Sequence, residues 1–175
     1  MSTIILIRGN SGSGKTTVAK KLHQLLGSKS LLVSQDYIRR NMLHVKDKPG
    51  NLAINLIDSI IQYGIQNCNY IIVEGIFVKS IYENMLLNNL QRSNKSLSYY
   101  YDLSFEETIR RNNTKKLKKF SKVSMKNWFV PHDFLENKNE KIINEGITQF
   151  QMLNIILSDL DLNKLDINTF NKLKI

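Results

Sequence analysis

Residues 9–16 read Gly-Asn-Ser-Gly-Ser-Gly-Lys-Thr, which is the spacing G-x-x-x-x-G-K-[ST] of a phosphate-binding loop, or P-loop. The apolar run of residues 4–7 precedes this loop, and apolar residues at helical spacing follow it from Val18 to Leu26. A strand, a glycine-rich turn and a helix in this order separate a true phosphate site from a turn that binds nothing. This stretch therefore predicts a P-loop NTPase fold.

The chemistry of the loop follows from its residue types. Glycines let backbone N–H groups converge on phosphate oxygens, and the N-terminus of the following helix adds partial positive charge. Lys15 is placed to reach the β- and γ-phosphates, and Thr16 to ligate Mg²⁺, so ATP and Mg²⁺ are the expected cofactors. The residues predicted to bind the nucleotide are Gly9, Asn10, Ser11, Gly12, Ser13, Gly14, Lys15, Thr16 and Thr17.

Strand and helix patterns alternate on either side of this loop. The expected strands are Thr3–Ile7, Ser30–Ser34, Tyr70–Glu74, Ser98–Leu103 and, more weakly, Lys141–Asn144. The expected helices are Lys15–Leu26, Tyr37–Leu43, Leu52–Ile65, Ser80–Leu90, Phe105–Asn112, Ser124–Phe129 and Thr148–Leu160. The strands are continuous apolar runs, as in a sheet buried on both faces. The pattern predicts an α/β, three-layer P-loop NTPase fold with a mostly parallel five-stranded sheet flanked by helices.

Length and composition limit what surrounds the loop. A chain of 175 residues fits a single domain over residues 1–175, with a C-terminal tail at about residues 160–175 whose fold the pattern leaves open. The single cysteine, Cys68, favours a reducing, cytoplasmic location. No apolar run approaches the length that spans a bilayer, so we expect no membrane partner. The sequence does not indicate the oligomeric state.

Much of the net charge of +10 lies in one short stretch. Its basic residues are Arg110, Arg111, Lys115, Lys116, Lys118, Lys119, Lys122 and Lys126. A solvated helix face and a nucleic-acid patch are two interpretations of such a stretch. Because a P-loop is present, we favour a third, a basic lid at about residues 110–130 that closes over the phosphates.

Two charged side chains, Asp36 and Arg39, follow the second predicted strand. Ligands of such sheets lie at the carboxyl ends of the strands, so both are expected near the P-loop. Asp36 could orient and deprotonate an attacking hydroxyl, while Arg39, one helical turn later, could grip the acceptor through paired hydrogen bonds. The plainer interpretation is a helix-capping aspartate beside a solvent-exposed arginine. We predict that both residues are catalytic and bind the substrate.

Two more carboxylates follow strands at the same predicted edge. Glu74 ends an apolar strand in a pattern that resembles Walker B, with glutamate in place of the commoner aspartate. We expect it to hold a Mg²⁺-bound water or to contact the acceptor. Its plainer interpretation is an ordinary polar residue where a strand emerges. Asp102 follows the fourth strand, and we interpret it as structural although topology brings it to the same edge.

Taken together, several motifs resemble those of one family. They are Arg8–Thr17, Ser34-Gln35-Asp36-x-x-Arg39, Val73-Glu74-Gly75, Asp102–Thr108 with Arg110-Arg111, and Trp128-Phe129-x-Pro131-x-Asp133. Over roughly residues 1–160 the chain resembles the bacterial P-loop small-molecule kinases related to zeta-toxin, chloramphenicol phosphotransferase and polynucleotide 5′-kinase. The P-loop alone is generic, whereas its combination with Asp36-x-x-Arg39 is more specific.

The resemblance implies an ATP- and Mg²⁺-dependent phosphotransferase that moves the γ-phosphoryl group to a hydroxyl of a small organic acceptor. In that family the residue matching Asp36 is the proposed base, and the one matching Arg39 binds the acceptor or its phosphate. The family lid usually carries an arginine beyond Arg111, where this chain has Lys115 and Lys116. Lysine lacks the planar fork, which leaves Arg111 and Lys115 as candidates for stabilising the transferred charge.

Two alternatives remain open at this point. The first is a polynucleotide 5′-hydroxyl kinase, for which the basic stretch would be a nucleic-acid contact. The second is a nucleotide-binding regulator or slow NTPase without an organic acceptor. The segments 43–52 and 77–82, which would shape an acceptor site, match no motif that separates these alternatives.

The substitution Lys15→Ala tests the loop. It should abolish turnover and weaken ATP binding while leaving the fold intact, because it deletes a charge aimed at the β- and γ-phosphates. Calorimetric titration with ATP measures the binding, and a thermal melt checks the fold. Wild-type turnover in this variant would show that the P-loop assignment is wrong.

Overall fold

The computed structural model of the chain describes residues 2–114 and 120–173. Part of the basic stretch, including the candidate residue Lys115 with Lys116, Lys118 and Lys119, lies outside these residues. The prediction for Lys115 therefore stays a prediction.

Within the described residues, five parallel strands form one sheet in the order β2-β3-β1-β4-β5. The strands are β1 Thr3–Gly9, β2 Ser30–Ser34, β3 Tyr70–Gly75, β4 Lys95–Tyr101 and β5 Glu140–Ile143. The predicted α/β, five-stranded sheet is confirmed. The fourth strand was predicted too late, at Ser98–Leu103. Its last pair joins Gly9 to Tyr101, so Asp102 already leaves the sheet.

Helices pack on this sheet. They are α1 Lys15–Leu26, α2 Gln35–Tyr37, α3 Leu52–Asn67, α4 Lys79–Arg92, α5 Phe105–Asn113, α6 Lys122–Trp128, α7 Gln149–Asp159 and α8 Ile167–Lys172. The helix predicted over Tyr37–Leu43 is instead the short α2 followed by a π-helical turn, Ile38–Met42. None of the described helices has the length and apolar character needed to cross a bilayer.

The tail left open by the sequence pattern contains α8, which packs against α1. The ammonium group of Lys21 lies 4.1 Å from the centre of the Phe170 ring, and it donates to the carbonyl of Leu173. Burial lowers the pKa of Lys21. The tail is thus part of the layer that supports the P-loop helix.

The alternation of side chains along β1 explains its unbroken apolar run. Ile4 and Leu6 lie in the core beneath α3 and α4, while Ile5 and Ile7 lie in the core beneath α1 and α7. All four side chains are buried. A strand with a core on each face needs apolar residues at every position, which is the pattern of parallel sheets.

Two glycines allow other elements to approach the P-loop closely. A Cβ on Gly9 would lie 2.8 Å from the Cβ of Tyr101, and a Cβ on Gly12 would lie 2.5 Å from the carbonyl oxygen of Thr108. Both glycines also have positive φ, +143° and +88°, which other residues rarely adopt. The loop is therefore packed directly against β4 and α5.

Arg8, at the end of β1, is a fully buried cation whose partners come from distant parts of the chain. Its Nη2 donates to the Phe77 carbonyl at 2.8 Å and lies 3.0 Å from Asp133 Oδ2, while Nη1 lies 3.2 Å from Glu140 Oε1. Its guanidinium also lies 5.2 Å from the centre of the Tyr100 ring. Arg8 thus ties the segment before β5 to the strand that leads into the P-loop.

Replacing this cation should destabilise the fold strongly. Arg8→Met leaves Asp133 and Glu140 largely buried without their cation, which should cost about 3–5 kcal/mol of unfolding free energy at neutral pH. Burial already raises the pKa of Asp133, so protonation on acidification should reduce this loss. Urea unfolding at several pH values measures both effects.

The exposed Arg92 on α4 provides a matched control, and Arg92→Met should change stability by less than about 0.5 kcal/mol. Equal losses in the two variants would contradict the role given to Arg8.

Candidate active site

The carboxyl ends of β1, β2 and β3 open into a cleft of about 950 Å³. Its lining from the P-loop and α1 is Ser11, Gly12, Lys15, Thr16, Thr17 and Lys20. Its lining from the rest of the chain includes Asp36, Tyr37, Arg39, Arg40, Met42, Asp47, Glu74, Phe120 and Trp128. The predicted residues Lys15, Thr16, Asp36, Arg39 and Glu74 therefore share one cleft. Gly9, Asn10, Ser13 and Gly14 are not among its lining residues.

The phosphate end of the cleft holds two groups suited to bind phosphate and metal. Lys15 is nearly buried, and its ammonium group donates to the Asn10 carbonyl at 3.1 Å, across the loop. The Thr16 hydroxyl donates to Glu74 Oε2 at 2.8 Å, and the Ser34 hydroxyl donates to Glu74 Oε1. The strand end of β3 is thus joined to the start of α1 at the position where the sequence predicts Mg²⁺.

These oxygen atoms fit Mg²⁺. A hydroxyl and a carboxylate are the hard ligands that Mg²⁺ prefers, and it usually takes few protein ligands beside substrate phosphates. Ser13 is fully buried, and its hydroxyl has no hydrogen-bond partner among residues 2–114 and 120–173. No cluster of three or more His, Cys, Asp or Glu side chains suited to a metal occurs among the described residues.

At the other end of the cleft Asp36 is fixed by two arginines. Arg39 Nη2 donates to Asp36 Oδ1 at 3.2 Å, and Arg40 Nε donates to the same oxygen at 2.5 Å. The second oxygen, Oδ2, accepts from no described residue, and the Asp36 side chain is 53% exposed. Asp36 caps no helix, because Ser34 is the residue before α2. The arrangement leaves one carboxylate oxygen available to a ligand.

Sequence reasoning missed Asp47, in the loop between the π-helical turn and α3. Tyr82 donates its hydroxyl to Asp47 Oδ1 at 2.6 Å, and burial together with this bond raises the pKa of Tyr82 to about 12. Arg39 Nε is buried without a hydrogen bond and lies 3.9 Å from Asp47 Oδ2. Asp47 is thus a second carboxylate beside the Arg39 guanidinium, near Nε, while Asp36 accepts from Nη2. No local spacing marks a lone aspartate in a polar loop.

Arg111 lies against the P-loop. Its Nη1 donates to the carbonyl of Ser13 at 3.0 Å, and its Nε donates to Glu107 Oε1 at 2.6 Å. Hydrogen bonds from Arg110 and Arg111 hold the pKa of Glu107 down at about 2. Glu107 thus stays ionised at neutral pH and positions Arg111 at the start of the predicted lid. Arg110 itself is largely exposed.

The far end of the predicted lid is also attached to the P-loop. The side chain of Asn10 donates to the Val130 carbonyl at 2.8 Å and accepts from the Val130 N–H at 3.0 Å. The side-chain amide of Asn10 thus bonds to the backbone that follows α6, and the predicted role of Asn10 in nucleotide binding stays a prediction. Both ends of the basic segment are therefore anchored on the same loop.

Asp102 follows β4 on the far side of the P-loop. Its Oδ2 lies 2.9 Å from His132 Nδ1, and it is not among the cleft lining. Asp102 follows its strand at the predicted edge, but of the three carboxylates there only Asp36 and Glu74 line the cleft. Asp36 follows β2 and Glu74 ends β3, whereas β4 lies on the opposite side of β1. The contact of Asp102 with His132 agrees with the interpretation of Asp102 as a structural residue.

Comparison with known proteins connects this geometry to other chains. A family model described as an AAA domain matches residues 4–128. The fold is similar to a gluconokinase from Sinorhizobium meliloti 1021, with a TM-score of 0.64 and 12% identity over 91% of each chain. A search of curated proteins found no match.

Two further solved structures share the fold. An APS kinase from Mycobacterium tuberculosis, in complex with AMPPNP and APS, has a TM-score of 0.66 and 14% identity over 91% of this chain and 98% of that chain. A shikimate kinase from Bacteroides thetaiotaomicron has a TM-score of 0.57 and 17% identity over 92% of this chain and 99% of that chain. At these identities the likeness concerns the architecture.

The contact between Asn10 and Val130 can be removed to test how the backbone that follows α6 is attached to the P-loop. Asn10→Ala removes both hydrogen bonds, which leaves the Val130 N–H without its partner and the Val130 carbonyl with the Tyr100 hydroxyl at 3.4 Å, and this should cost about 1–3 kcal/mol. Amide hydrogen exchange should accelerate at Val130 and its neighbours. The exposed Asn67, whose amide bonds to the Tyr63 carbonyl, supplies the control Asn67→Ala. Unchanged exchange at Val130 would mean that other contacts hold the segment.

Proposed function

The chain belongs to a family of AAA domains, and from this premise we propose that it is an ATP- and Mg²⁺-dependent kinase that phosphorylates a hydroxyl of a small organic acceptor. One observation carries the proposal. The carboxylate of Asp36, with one oxygen held by two arginines and the other available, shares a cleft with Lys15 and Thr16 of the P-loop. This is the set of groups that phosphoryl transfer to an alcohol requires.

The structural neighbours support this proposal. Their names describe kinases of gluconate, shikimate and APS type, and one of them was solved with AMPPNP and APS. The closer kinship with zeta-toxin, chloramphenicol phosphotransferase and polynucleotide 5′-kinase is part of the proposal. It rests on the combination of the P-loop with Asp36-x-x-Arg39. A single domain with a basic lid at about residues 110–130 and a supporting tail belongs to the proposal as well.

The phosphate end of the site would bind the nucleotide. Lys15 and the backbone N–H groups of the loop would hold the β- and γ-phosphates. Thr16 and Glu74 would hold Mg²⁺, either directly or through water. When bound, the metal would supply positive charge that offsets the negative charge of the phosphate oxygens.

The acceptor end would carry out the proton transfer. The acceptor oxygen bonds to the γ-phosphorus while the bond from that phosphorus to the β,γ-bridging oxygen breaks, and ADP leaves with the bonding electron pair. The hydroxyl proton passes to Asp36 Oδ2, the oxygen that accepts no hydrogen bond from the described residues. Arg39 and Arg40 on Oδ1 fix the orientation of the carboxylate for this step.

Cations would stabilise the charge on the transferred group. Arg39 is 10% exposed in its side chain and is braced by Asp36 and Asp47, so it can present its guanidinium to the acceptor in a fixed orientation. Arg111, anchored on the Ser13 carbonyl, and Lys115 are the candidates from the lid side. Closure of the basic lid would exclude water, since water would otherwise compete with the acceptor.

The substitution Asp36→Asn tests the base. It keeps the shape of the side chain but removes the proton acceptor, so the rate of transfer should fall roughly 100- to 10,000-fold with ATP affinity little changed. Release of ADP, followed with a coupled assay over a panel of hydroxyl compounds, measures the rate. The exposed Asp161 allows the control Asp161→Asn, which should leave the rate unchanged. Reduced thermal stability with normal turnover would instead assign Asp36 a structural role.

A further inference from the structure

Two aromatic rings from the lid side line the acceptor end of the cleft. Phe120 precedes α6 and Trp128 ends it, and their ring centres lie 5.1 Å apart at an angle of 88°. Arg40 reaches across from the π-helical turn and places its guanidinium 4.9 Å from the Phe120 ring centre and 5.1 Å from that of Trp128. An aromatic pair and a cation of the chain itself therefore meet at this corner of the cleft.

Other large apolar side chains of the same end are exposed to water. Tyr37 is 60% exposed and Met42 is 50% exposed, and both line the cleft. A ligand that covers these side chains removes their apolar surface from water, which favours binding. A concave site with aromatic walls and a few oriented polar groups is typical for an organic ligand.

The charges of this end neutralise one another. Arg39 pairs with Asp36 and Asp47, and Arg40 pairs with Asp36. Two cations thus meet two anions, and residues 35–47 of the lining contribute no net charge. Lys20, the other described lysine of the lining beside Lys15, stands on α1 next to the P-loop. A phosphorylated or polyanionic acceptor would need an unpaired cation here, and the described lining of the acceptor end offers none.

From these observations we infer that the acceptor carries an uncharged planar ring, which stacks on Trp128 and lies perpendicular to Phe120, beside Arg40, while its hydroxyl arm reaches Asp36. The inference rests on the proposed kinase function and names the acceptor class for the same site. Stacking on an aromatic face depends little on which atoms make up the ligand ring. The aromatic residues would therefore select a planar ring, and the Asp36 carboxylate would select a hydroxyl group.

The chain offers a direct probe, because Trp128 is its single tryptophan. Its fluorescence is measured without nucleotide while hydroxyl compounds are added. The compounds form two matched pairs of a planar and a non-planar member: benzyl alcohol with cyclohexylmethanol, and adenosine with ribitol. The planar member of each pair should change the fluorescence saturably and bind about fivefold or more tightly than its partner. Phe120→Leu should reduce this difference, while the control Val123→Ala, at an exposed position of α6, should not.

Phosphoryl-transfer assays with ATP distinguish the preference for a planar acceptor from the kinase function on which it rests. Preference for the planar members in phosphorylation supports the inference. Phosphorylation of cyclohexylmethanol or ribitol as fast as of the planar compounds overturns it and leaves the kinase function standing. Ring binding without transfer to any compound overturns the kinase function and not the ring site.

Two further outcomes also overturn the inference. If ADP alone changes the Trp128 signal and competes with benzyl alcohol, the rings hold the adenine of the nucleotide. If a single-stranded oligothymidylate binds instead, with an affinity that falls steeply with salt, the acceptor is a polyanion.

Discussion

The close packing of the P-loop is the constraint on which the rest of this structure depends. Gly9 and Gly12 have no room for a Cβ, because β4 stands against the first and α5 against the second. Asn10 and the Ser13 carbonyl then bind Val130 and Arg111, at the two ends of the basic segment. Movement of any of these elements would therefore displace the loop that would hold the phosphates.

Charge pairing organises the two sides of the site differently. On one side the buried Arg8 pairs with Asp133 and Glu140 at the end of β1, so the segment between α6 and β5 is fixed by a desolvated cation. On the other side Arg39 and Arg40 brace Asp36 at the surface of the cleft, where one carboxylate oxygen stays available. The first cluster supports the scaffold, and the second suits a reacting group because water and a ligand can reach it.

The features that could be predicted from the sequence were local ones. The P-loop, α1 and the adjacency of Asp36 and Arg39 depend on spacings of a few residues, and the structure places them as expected. The contacts of Arg8 with Asp133 and of Asn10 with Val130 join residues 125 and 120 positions apart, and no short motif encodes such pairs. The π-helical turn was missed because Leu43 N–H bonds to the Ile38 carbonyl, a spacing that apolar periodicity does not reveal. Asp47 was missed because its partners Arg39 and Tyr82 come from two separate segments.

The product that receives the γ-phosphoryl group of ATP shows directly whether the protein phosphorylates an organic hydroxyl compound. The protein is incubated with Mg²⁺, γ-labelled ATP and a mixture of ring-bearing hydroxyl compounds, and the labelled products are separated. If Asp36 is the base of a kinase, ADP and an organic phosphate ester form in a one-to-one ratio, and formation of both falls roughly 100- to 10,000-fold in the Asp36→Asn variant. Label found in inorganic phosphate alone, at a rate that Asp36→Asn does not change, would contradict the kinase function and indicate an NTPase without an organic acceptor.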